Sequence, residues 1–284
     1  MKNLAARLAT AAVAAPILLA LLYLLPWYAF ATLAGLAGLV GSVEISAMTH
    51  AGQRAGRIAT AVLFALVFLV LTITDFGRTA QFLALAALVA VVPLSQIVTL
   101  VFPGPIDTSL LRMMSLGTAP LHLGTSLASI ACLRRVGEAH GSHRGAGLVV
   151  FALLVAWFGD TGGYFAGRSI GGPKLYAVVS PNKTWAGSVG GLIGSALGAV
   201  LAHFWFLPEL PLRSGLIVAV ACGALGQAGD LCESLVKRSA GIKDSGAILP
   251  GHGGILDRID ALLFVALGVY MSLRAGWLTL QPPL

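Results

Sequence analysis

Charged residues are scarce in this sequence of 284 residues. Asp, Glu, Lys and Arg together make up 10% of it, whereas hydrophobic residues make up 57% and the mean hydropathy is +0.90. A soluble domain carries about 25% charged residues, so the composition excludes a soluble enzyme and a disordered chain. The sequence also lacks the ten-residue segments of alternating polarity that mark a transmembrane barrel. We therefore predict an all-α fold, a polytopic integral membrane helical bundle.

Cysteine is also rare, and several catalytic motifs are missing. The three cysteines form no CxxC pair, which excludes a paired-cysteine scaffold and a zinc site of the usual spacing. The sequence has no Walker A motif, no GxSxG and no HExxH, so it predicts neither a P-loop enzyme nor a serine hydrolase nor a zinc protease.

The formal net charge is +7. In a membrane protein an excess of Lys and Arg is explained by the positive-inside rule, so no nucleic-acid partner is predicted. The lipid bilayer is the predicted partner, and the oligomeric state, including a homodimer, stays open.

Apolar windows long enough to cross about 30 Å of hydrocarbon recur along the whole chain. They predict about nine transmembrane helices, with the N-terminus in the cytoplasm because most Lys and Arg residues then lie inside. The segment 133–147 departs from this rule with three arginines outside. The predicted spans are 8–25, 27–48, 58–74, 80–102, 113–133, 147–166, 186–207, 214–230 and 259–279.

Two polar segments, 167–185 and 231–258, differ in composition from everything else. The predicted orientation places both in the cytoplasm. We therefore expect an N-terminal region of transmembrane helices, 1–145, that serves as scaffold and lipid access, and a C-terminal catalytic region, 146–284.

A stripe of polar residues crosses the end of the eighth span. Asp230, Glu233, Ser234 and Lys237 follow one another at i, i+3, i+4 and i+7, so they share one face of a helix. A carboxylate at the membrane boundary is costly unless it is paired or binds a cation. The alternative for Asp230 is a helix-end charge that reaches water.

The segment before the last span is rich in glycine and ends in two acids. The Pro-Gly-His-Gly-Gly run at 250–254 is unsuited to a helix interior, and its free N–H groups are able to form an anion-binding nest. Asp257 and Asp260 then lie on one face at i and i+3, where carboxylates suit Mg²⁺ beside a substrate phosphate. The alternative for Asp257 is capping of the helix.

Two further features have both a structural and a functional interpretation. Ser180 and Pro181 predict the start of the seventh helix, which would place a helix N-terminus beside Lys183 and Thr184 as a phosphate site. Glu44 is an acid inside the second span, where it is either functional or held by a structural hydrogen bond.

The sequence resembles the phosphatidate cytidylyltransferases, also called CDP-diacylglycerol synthases. Their C-terminal signature, Ser-x-hydrophobic-Lys-Arg, then Lys-Asp, then Leu-Pro-x-His-Gly-Gly-x-x-Asp-Arg-x-Asp, is unbroken over residues 234–260, which we call the signature. Upstream, Asp160, Arg168 and the Ser-Pro-Asn-Lys-Thr-Trp run at 180–185 also resemble the family. Ala186 departs from it, because many members carry Glu there.

The resemblance implies a nucleotidyltransferase in phospholipid biosynthesis that makes CDP-diacylglycerol and pyrophosphate from CTP and phosphatidate with Mg²⁺; a second cation is left open. It implies metal ligands, a substrate-binding set, and catalytic residues, of which the basic ones are candidates for phosphate contacts and Asp244 is either a ligand or an ion-pair partner of Lys243. The metal ligands are Asp230, Asp257 and Asp260. The catalytic residues are Lys237, Arg238, Lys243, Asp244 and Arg258. The substrate-binding residues are Ser180, Lys183, Thr184, Ser234, His252, Gly253 and Gly254.

Three other functions compete with this one. A CDP-alcohol phosphotransferase would cluster its acids in one short stretch, which this sequence lacks. A transporter would place its polar residues near the bilayer midplane, whereas here they collect at predicted helix ends. A cytidylyltransferase acting on a different lipid phosphate stays open, because the signature describes the nucleotide side better than the acyl side.

Overall fold

The computed structural model describes residues 14–50, 52–75, 81–102, 104–138, 143–248 and 253–281. Within these residues the chain is helical apart from short turns and one hairpin, so the predicted all-α membrane fold is confirmed. The helices are α1 (Ala14–Leu24), α2 (Trp27–Thr49), α3 (Arg54–Thr74), α4 (Gln81–Val101), α5 (Ser109–Arg135), α6 (Arg144–Ser169), α7 (Trp185–Leu201), α8 (Leu212–Ser239) and α9 (Leu256–Arg274).

Each predicted span overlaps one of these helices. Six helical segments are long and apolar enough to cross a membrane; they correspond to α2, α3, α5, α6, α7 and α8, while α1 and the described part of α4 are shorter. The number of nine crossings therefore stays a prediction. Helix α5 is continuous across Pro120 and is among the segments long enough to cross a membrane.

The chain divides into two compact units. Unit 1 consists of residues 1–132 and 244–258, and unit 2 consists of residues 133–243 and 259–284. The boundaries of these units differ from the boundary at 145/146 that we expect between the scaffold and catalytic regions. That division of roles stays a prediction.

In unit 2, helices α6 and α7 approach each other through glycine. A methyl group on Gly162 would overlap the carbonyl oxygen of Gly190, and one on Gly194 would overlap the carbonyl of Phe158. Small residues at such positions let two helix backbones pack closely in lipid, where lipid chains give no hydrophobic force between helices. The abundance of glycine in this part of the chain is thus explained by packing.

The prediction that Ser180 and Pro181 begin the seventh helix is wrong. These residues lie in β2 (Ser180–Thr184), which pairs antiparallel with β1 (Lys174–Tyr176). Helix α7 begins at Trp185, and Thr184 is its N-cap: its Oγ1 accepts a hydrogen bond from the Gly187 N–H at 3.1 Å. A Pro is tolerated here because both strands of a two-stranded ribbon are edge strands, where proline is found in sheets. Both Ser180 and Thr184 are suitable N-cap residues, and the helix uses Thr184, the one nearer the apolar run.

Candidate active site

Unit 2 contains a cavity of about 640 Å³. Helix α6, the β1–β2 hairpin, the start of α7 and the middle of α8 all contribute to its wall. Its lining residues are Gly159, Asp160, Gly163, Tyr164, Gly167, Arg168, Leu175, Asn182, Lys183, Thr184, Gly187, Ser188, Gln227 and Asp230. The lining thus combines two acids, two bases, amides and hydroxyls with glycine backbone, a set suited to an anionic and partly apolar ligand.

Helix α6 supplies one face to this cavity. Asp160, Tyr164 and Arg168 lie four residues apart, and Gly163 and Gly167 lie between them on the same face. The two glycines also lie against α7, where a Cβ on Gly163 would be 3.4 Å from the Gly187 carbonyl oxygen. The same side of α6 therefore packs against α7 and borders the cavity.

An ion pair joins the hairpin to α8 at the cavity wall. Lys183 Nζ lies 2.5 Å from Asp230 Oδ2, with 27% and 28% of the two side chains exposed. Ser234 donates from its hydroxyl to Asp230 Oδ1 at 3.4 Å. Lys183 is thus brought to Asp230 and Ser234, which the sequence already places on one helix face, and Thr184 borders the same cavity. Ser180 is not among the lining residues.

Farther along α8, a second charged group is mostly buried. Lys237 Nζ lies 3.2 Å from Glu233 Oε1, and both side chains are about nine-tenths buried. Asp260, on α9, interacts with Glu233 and with the charges of Asp230 and Lys237. Helix α9 can approach α8 here because Gly229 has no side chain: a Cβ at that position would overlap the ring of Phe264 on α9. Unit 2 therefore brings Asp230 and Asp260 near each other, as their positions at neighbouring helix ends predict.

Asp257 lies in unit 1 and has a different environment. Its Oδ2 accepts hydrogen bonds from the backbone N–H groups of Ser245 and Gly254, each at 2.9 Å, and lies 3.0 Å from the Ser245 hydroxyl. These bonds tie the loop before α9 to the first turn of the helix. They stabilise the helix start, as the capping alternative predicts, through N–H groups that precede the helix. Its role as a metal ligand stays a prediction.

Two glycines of the signature are required by this loop. Gly253 has φ +78°, and a Cβ there would lie 2.7 Å from Asp257 Oδ2. A Cβ on Gly254 would overlap the Ser245 hydroxyl and approach both carboxylate oxygens of Glu44 to 2.6 Å. Their predicted role as a phosphate cradle is untested, and His252 and Gly251 lie outside the described residues.

The remaining basic residues of the signature are exposed. Arg238 donates to the carbonyl oxygen of Ile242 at 2.9 Å and so closes the turn after α8. Lys243 and Arg258 are exposed, and so is the acidic Asp244. The two basic side chains are accessible to an anionic ligand, and the predicted catalytic roles of all three residues stay predictions.

Sequence reasoning missed part of the cavity wall. Ser188 donates from its hydroxyl to Gln227 Oε1, and Gln227 Nε2 donates to the Ser188 carbonyl oxygen at 3.0 Å, which ties α7 to α8. Asn182 also lines the cavity. Gln227 precedes Asp230 by three residues, so its position on the Asp230 face of α8 was a signal available in the sequence.

Most of the sequence matches one known protein family. The sequence profile of the cytidylyltransferase family matches residues 5–275. The chain belongs to the cytidylyltransferase family. The match extends over the N-terminal helices as well as the signature, although the sequence motifs quoted above begin only near Asp160.

Curated relatives within the cytidylyltransferase family are similar over a shorter region. The chain is 49% identical over 117 residues to a protein from Staphylococcus haemolyticus and 50% identical over 117 residues to one from Staphylococcus saprophyticus. It is 45% identical over 124 residues to one from Brucella suis. All three are named phosphatidate cytidylyltransferase. Each match covers 41–43% of this chain and 45% of the relative, so the aligned chain spans about half the length of these relatives.

Proposed function

We propose that this chain is a phosphatidate cytidylyltransferase, which forms CDP-diacylglycerol and pyrophosphate from CTP and phosphatidate. The observation that carries the proposal is the cavity of unit 2, where the Lys183–Asp230 ion pair faces a glycine-lined space of about 640 Å³ in a chain of the cytidylyltransferase family. The names of the curated relatives support this choice of acceptor lipid.

The chemistry requires little covalent help from the protein. A lipid phosphate oxygen is already an anionic nucleophile, so its attack on the α-phosphorus of CTP needs no Ser or Cys nucleophile. The new bond forms between that oxygen and the α-phosphorus, and the bond to the pyrophosphate leaving group breaks. What the protein has to supply is orientation of two anions and neutralisation of their charge. Lys183 and Arg168 are the cations that border the cavity.

The carboxylates of unit 2 fit the Mg²⁺ ion that the family implies. Among the described residues no three His, Cys, Asp or Glu side chains are arranged to hold a metal ion. Mg²⁺ is, however, commonly bound by one or two carboxylates together with waters and substrate phosphates. Asp230 and Asp260 match that smaller set of oxygen ligands. When bound, Mg²⁺ neutralises charge on phosphate oxygens. A second cation, and Asp257 as a ligand, remain part of the proposal.

Lys183 neutralises Asp230 at the cavity wall. We expect the Lys183 ammonium to exchange Asp230 for a phosphate oxygen when CTP binds, because an ion pair about a quarter exposed is weak. Ser234 and Lys237 lie one and two turns along α8 from Asp230, and both are buried, so a phosphate contact by Lys237 requires its ion pair with Glu233 to open. Arg238 and Lys243 are exposed cations of unit 2 proposed to contact the substrate phosphates, and a catalytic role for Arg258 remains a separate part of the proposal.

The proposed location is the bacterial inner membrane, with the polar segments in the cytoplasm where CTP is found. Single-cysteine labelling tests this orientation in a background lacking Cys132, Cys222 and Cys232. Ser169→Cys and Ala247→Cys are suitable probes because both positions are exposed. Ser245 is unsuitable because it is 7% exposed. Labelling of either probe by a membrane-impermeant reagent in intact cells would overturn the orientation.

The function itself is tested with purified protein in detergent. We expect pyrophosphate release and CDP-lipid formation from CTP only when phosphatidate and Mg²⁺ are both present, with little reaction from ATP. Parallel reactions with other lipid phosphates distinguish the acceptor. Turnover without a lipid acceptor, or equal turnover with ATP, would contradict the proposal, and preference for another lipid phosphate would change the substrate while keeping the reaction class.

A further inference from the structure

A buried carboxylate in unit 1 has no part in the proposed reaction. Glu44 lies on α2, five residues before its end, and is 4% exposed. An ionised carboxylate inside an apolar helix is costly unless charge-assisted hydrogen bonds satisfy it. Three donors surround Glu44: the Leu256 N–H at 2.8 Å, the Ile255 N–H at 2.9 Å and the Ser245 hydroxyl at 3.0 Å.

Two of these donors belong to the start of α9. The first N–H groups of a helix have no partner within it and carry a partial positive charge, so a carboxylate beside them is stabilised. Glu44 thus caps α9 from a helix more than 200 residues earlier in the sequence. A Cβ on Gly246 or Gly254 would lie 2.6 Å from a Glu44 oxygen, so the loop backbone closely surrounds this carboxylate.

Ser245 connects Glu44 to Asp257. Its hydroxyl is 3.0 Å from Glu44 Oε2 and also 3.0 Å from Asp257 Oδ2. One hydroxyl has one proton, so it donates to one of the two carboxylates at a time. The Ser245 N–H donates to Asp257 as well. Glu44, Ser245 and Asp257 therefore form one hydrogen-bonded group, which we call the Glu44 clasp.

We propose that Glu44 is a positioning residue: its carboxylate fixes the loop and the first turn of α9 and thereby holds the side chain of Asp257 in place. The inference rests on the proposed function, in which Asp257 takes part in the reaction. It assigns Glu44 no contact with a substrate.

Glu44→Gln is the informative variant because the two backbone donors use different oxygens. Ile255 donates to Oε1 and Leu256 donates to Oε2. A glutamine has one acceptor oxygen, so its NH₂ group must face one of these N–H groups and leave it unsatisfied. Glu44→Asp is the conservative partner, since it retains the charge and both acceptors but shortens the side chain by one carbon.

Ser42→Ala is the matched control on the same helix. Ser42 is fully buried, and its hydroxyl donates only to the Gly38 carbonyl oxygen of its own helix at 2.8 Å among the bonds described. Ser245→Ala removes the hydroxyl of the clasp and leaves its backbone bond to Asp257. We expect Ser42→Ala to resemble the wild type in every measurement and Ser245→Ala to fall between the wild type and Glu44→Gln.

Two measurements decide the inference. Hydrogen–deuterium exchange of peptides covering residues 253–260 should be at least about 10-fold faster in Glu44→Gln, since one of the two amides at the start of α9 loses its acceptor. The kcat of CDP-lipid formation should fall by about 10- to 100-fold, the scale for loss of a residue that supports a ligand, while the KM for CTP changes by less than about 3-fold. Glu44→Asp should recover part of both.

The outcomes separate this inference from the proposed function. If the wild type makes no CDP-lipid, the proposed function fails, and the exchange measurement still decides whether Glu44 holds the start of α9. If the wild type is active and Glu44→Gln keeps wild-type exchange and kcat, the inference is overturned. A loss of activity no greater than the loss of folded protein, measured by thermal unfolding, also overturns it, because Glu44 would then only stabilise the fold.

Discussion

Two acids proposed as metal ligands, Asp230 just before the signature and Asp257 within it, lie in opposite environments. Asp230, in unit 2, is 28% exposed at the wall of a cavity and faces a lysine side chain that is itself 27% exposed. Asp257, in unit 1, has one oxygen held by two backbone N–H groups within a loop that also encloses the buried Glu44. An exposed ion pair is easily exchanged for another ligand, whereas backbone donors fixed by a loop are not. The signature and the end of the helix before it therefore provide one charge suited to exchange, Asp230, and one suited to holding structure, Asp257.

The same contrast applies to the cations. Lys183 reaches the cavity of unit 2 through a flexible side chain, but His50 and Arg112 of unit 1 are 2% and 4% exposed. The Arg112 guanidinium donates to the Pro105 carbonyl oxygen and to the Ser109 hydroxyl, so it is tied to the turn before its own helix. Changes at the cavity of unit 2 should act on catalysis, whereas changes at His50 or Arg112 should act first on stability or local order.

The largest effect is expected for Asp230→Asn. The variant keeps the size of the side chain but loses the charge that faces Lys183 and that we propose to face Mg²⁺. We predict that the protein folds and inserts normally and that CDP-lipid formation falls by at least about 100-fold. Initial rates at saturating CTP and Mg²⁺ measure this, with thermal unfolding in detergent as the check on folding. A rate within a few-fold of wild type would show that Asp230 carries no essential charge.

Asp257→Asn tests the other side of the comparison. Asn caps a helix nearly as well as Asp, so the variant should retain the wild-type unfolding midpoint. If Asp257 is a metal ligand, its activity should also fall by about 100-fold, and Asp260→Asn should fall similarly or somewhat less. A near-normal rate with unchanged Mg²⁺ dependence would leave Asp257 with the capping role alone, worth roughly 0.5–1 kcal/mol.

A smaller loss is expected for Lys183→Met, which keeps the length of the side chain but removes its charge. We predict a decrease of about 10- to 100-fold in kcat/KM for CTP, below the effect of Asp230→Asn because Arg168 still borders the cavity. Lys183→Arg should recover part of the activity, since it restores the charge. An unchanged kcat/KM in Lys183→Met would mean that the ammonium only neutralises Asp230.

Much of this arrangement could be predicted from the sequence, where local pattern decides. Hydropathy predicts a helix in each span, and helical spacing places Asp230 and Ser234 on one face of α8, where they are hydrogen-bonded. The β1–β2 hairpin could not be predicted, because its three- and five-residue strands are too short to show a period and depend on pairing with each other. The sequence also gives no sign that Glu44 accepts hydrogen bonds from Ile255 and Leu256, 211 and 212 positions later, because only tertiary packing brings these residues together.

Stability should separate two neighbouring glycines of α6. A methyl group on Gly162 would overlap the backbone carbonyl of Gly190, whereas one on Gly163 would meet the Gly187 carbonyl oxygen at an ordinary 3.4 Å. Backbone cannot yield as a side chain does, so Gly162→Ala should destabilise unit 2 by about 1–3 kcal/mol. Thermal unfolding in detergent should show a lower midpoint for Gly162→Ala and little change for Gly163→Ala. Equal midpoints would show that α6 and α7 are free to move apart.

The smallest effect is expected for His50, a buried titratable residue of unit 1 that follows α2. Burial lowers the pKa of His50 below its usual 6.5, and the nearby positive charges of Arg112 and Arg57 lower it further. Thr49 lies beside its ring, with its hydroxyl oxygen 2.9 Å from Nδ1. The folded protein therefore holds His50 neutral at a pH where the unfolded chain already binds a proton. It follows that the free energy of unfolding should decrease as the pH falls below 6.5, and should be insensitive to His50 well above that value.

His50→Gln removes the titrating group while keeping a polar side chain, so the difference in unfolding midpoint between wild type and variant should change between pH 7.5 and pH 5 in favour of the variant. A difference that stays constant over this range would mean that His50 is charged or uncharged equally in both states, and that burial in unit 1 does not constrain its proton.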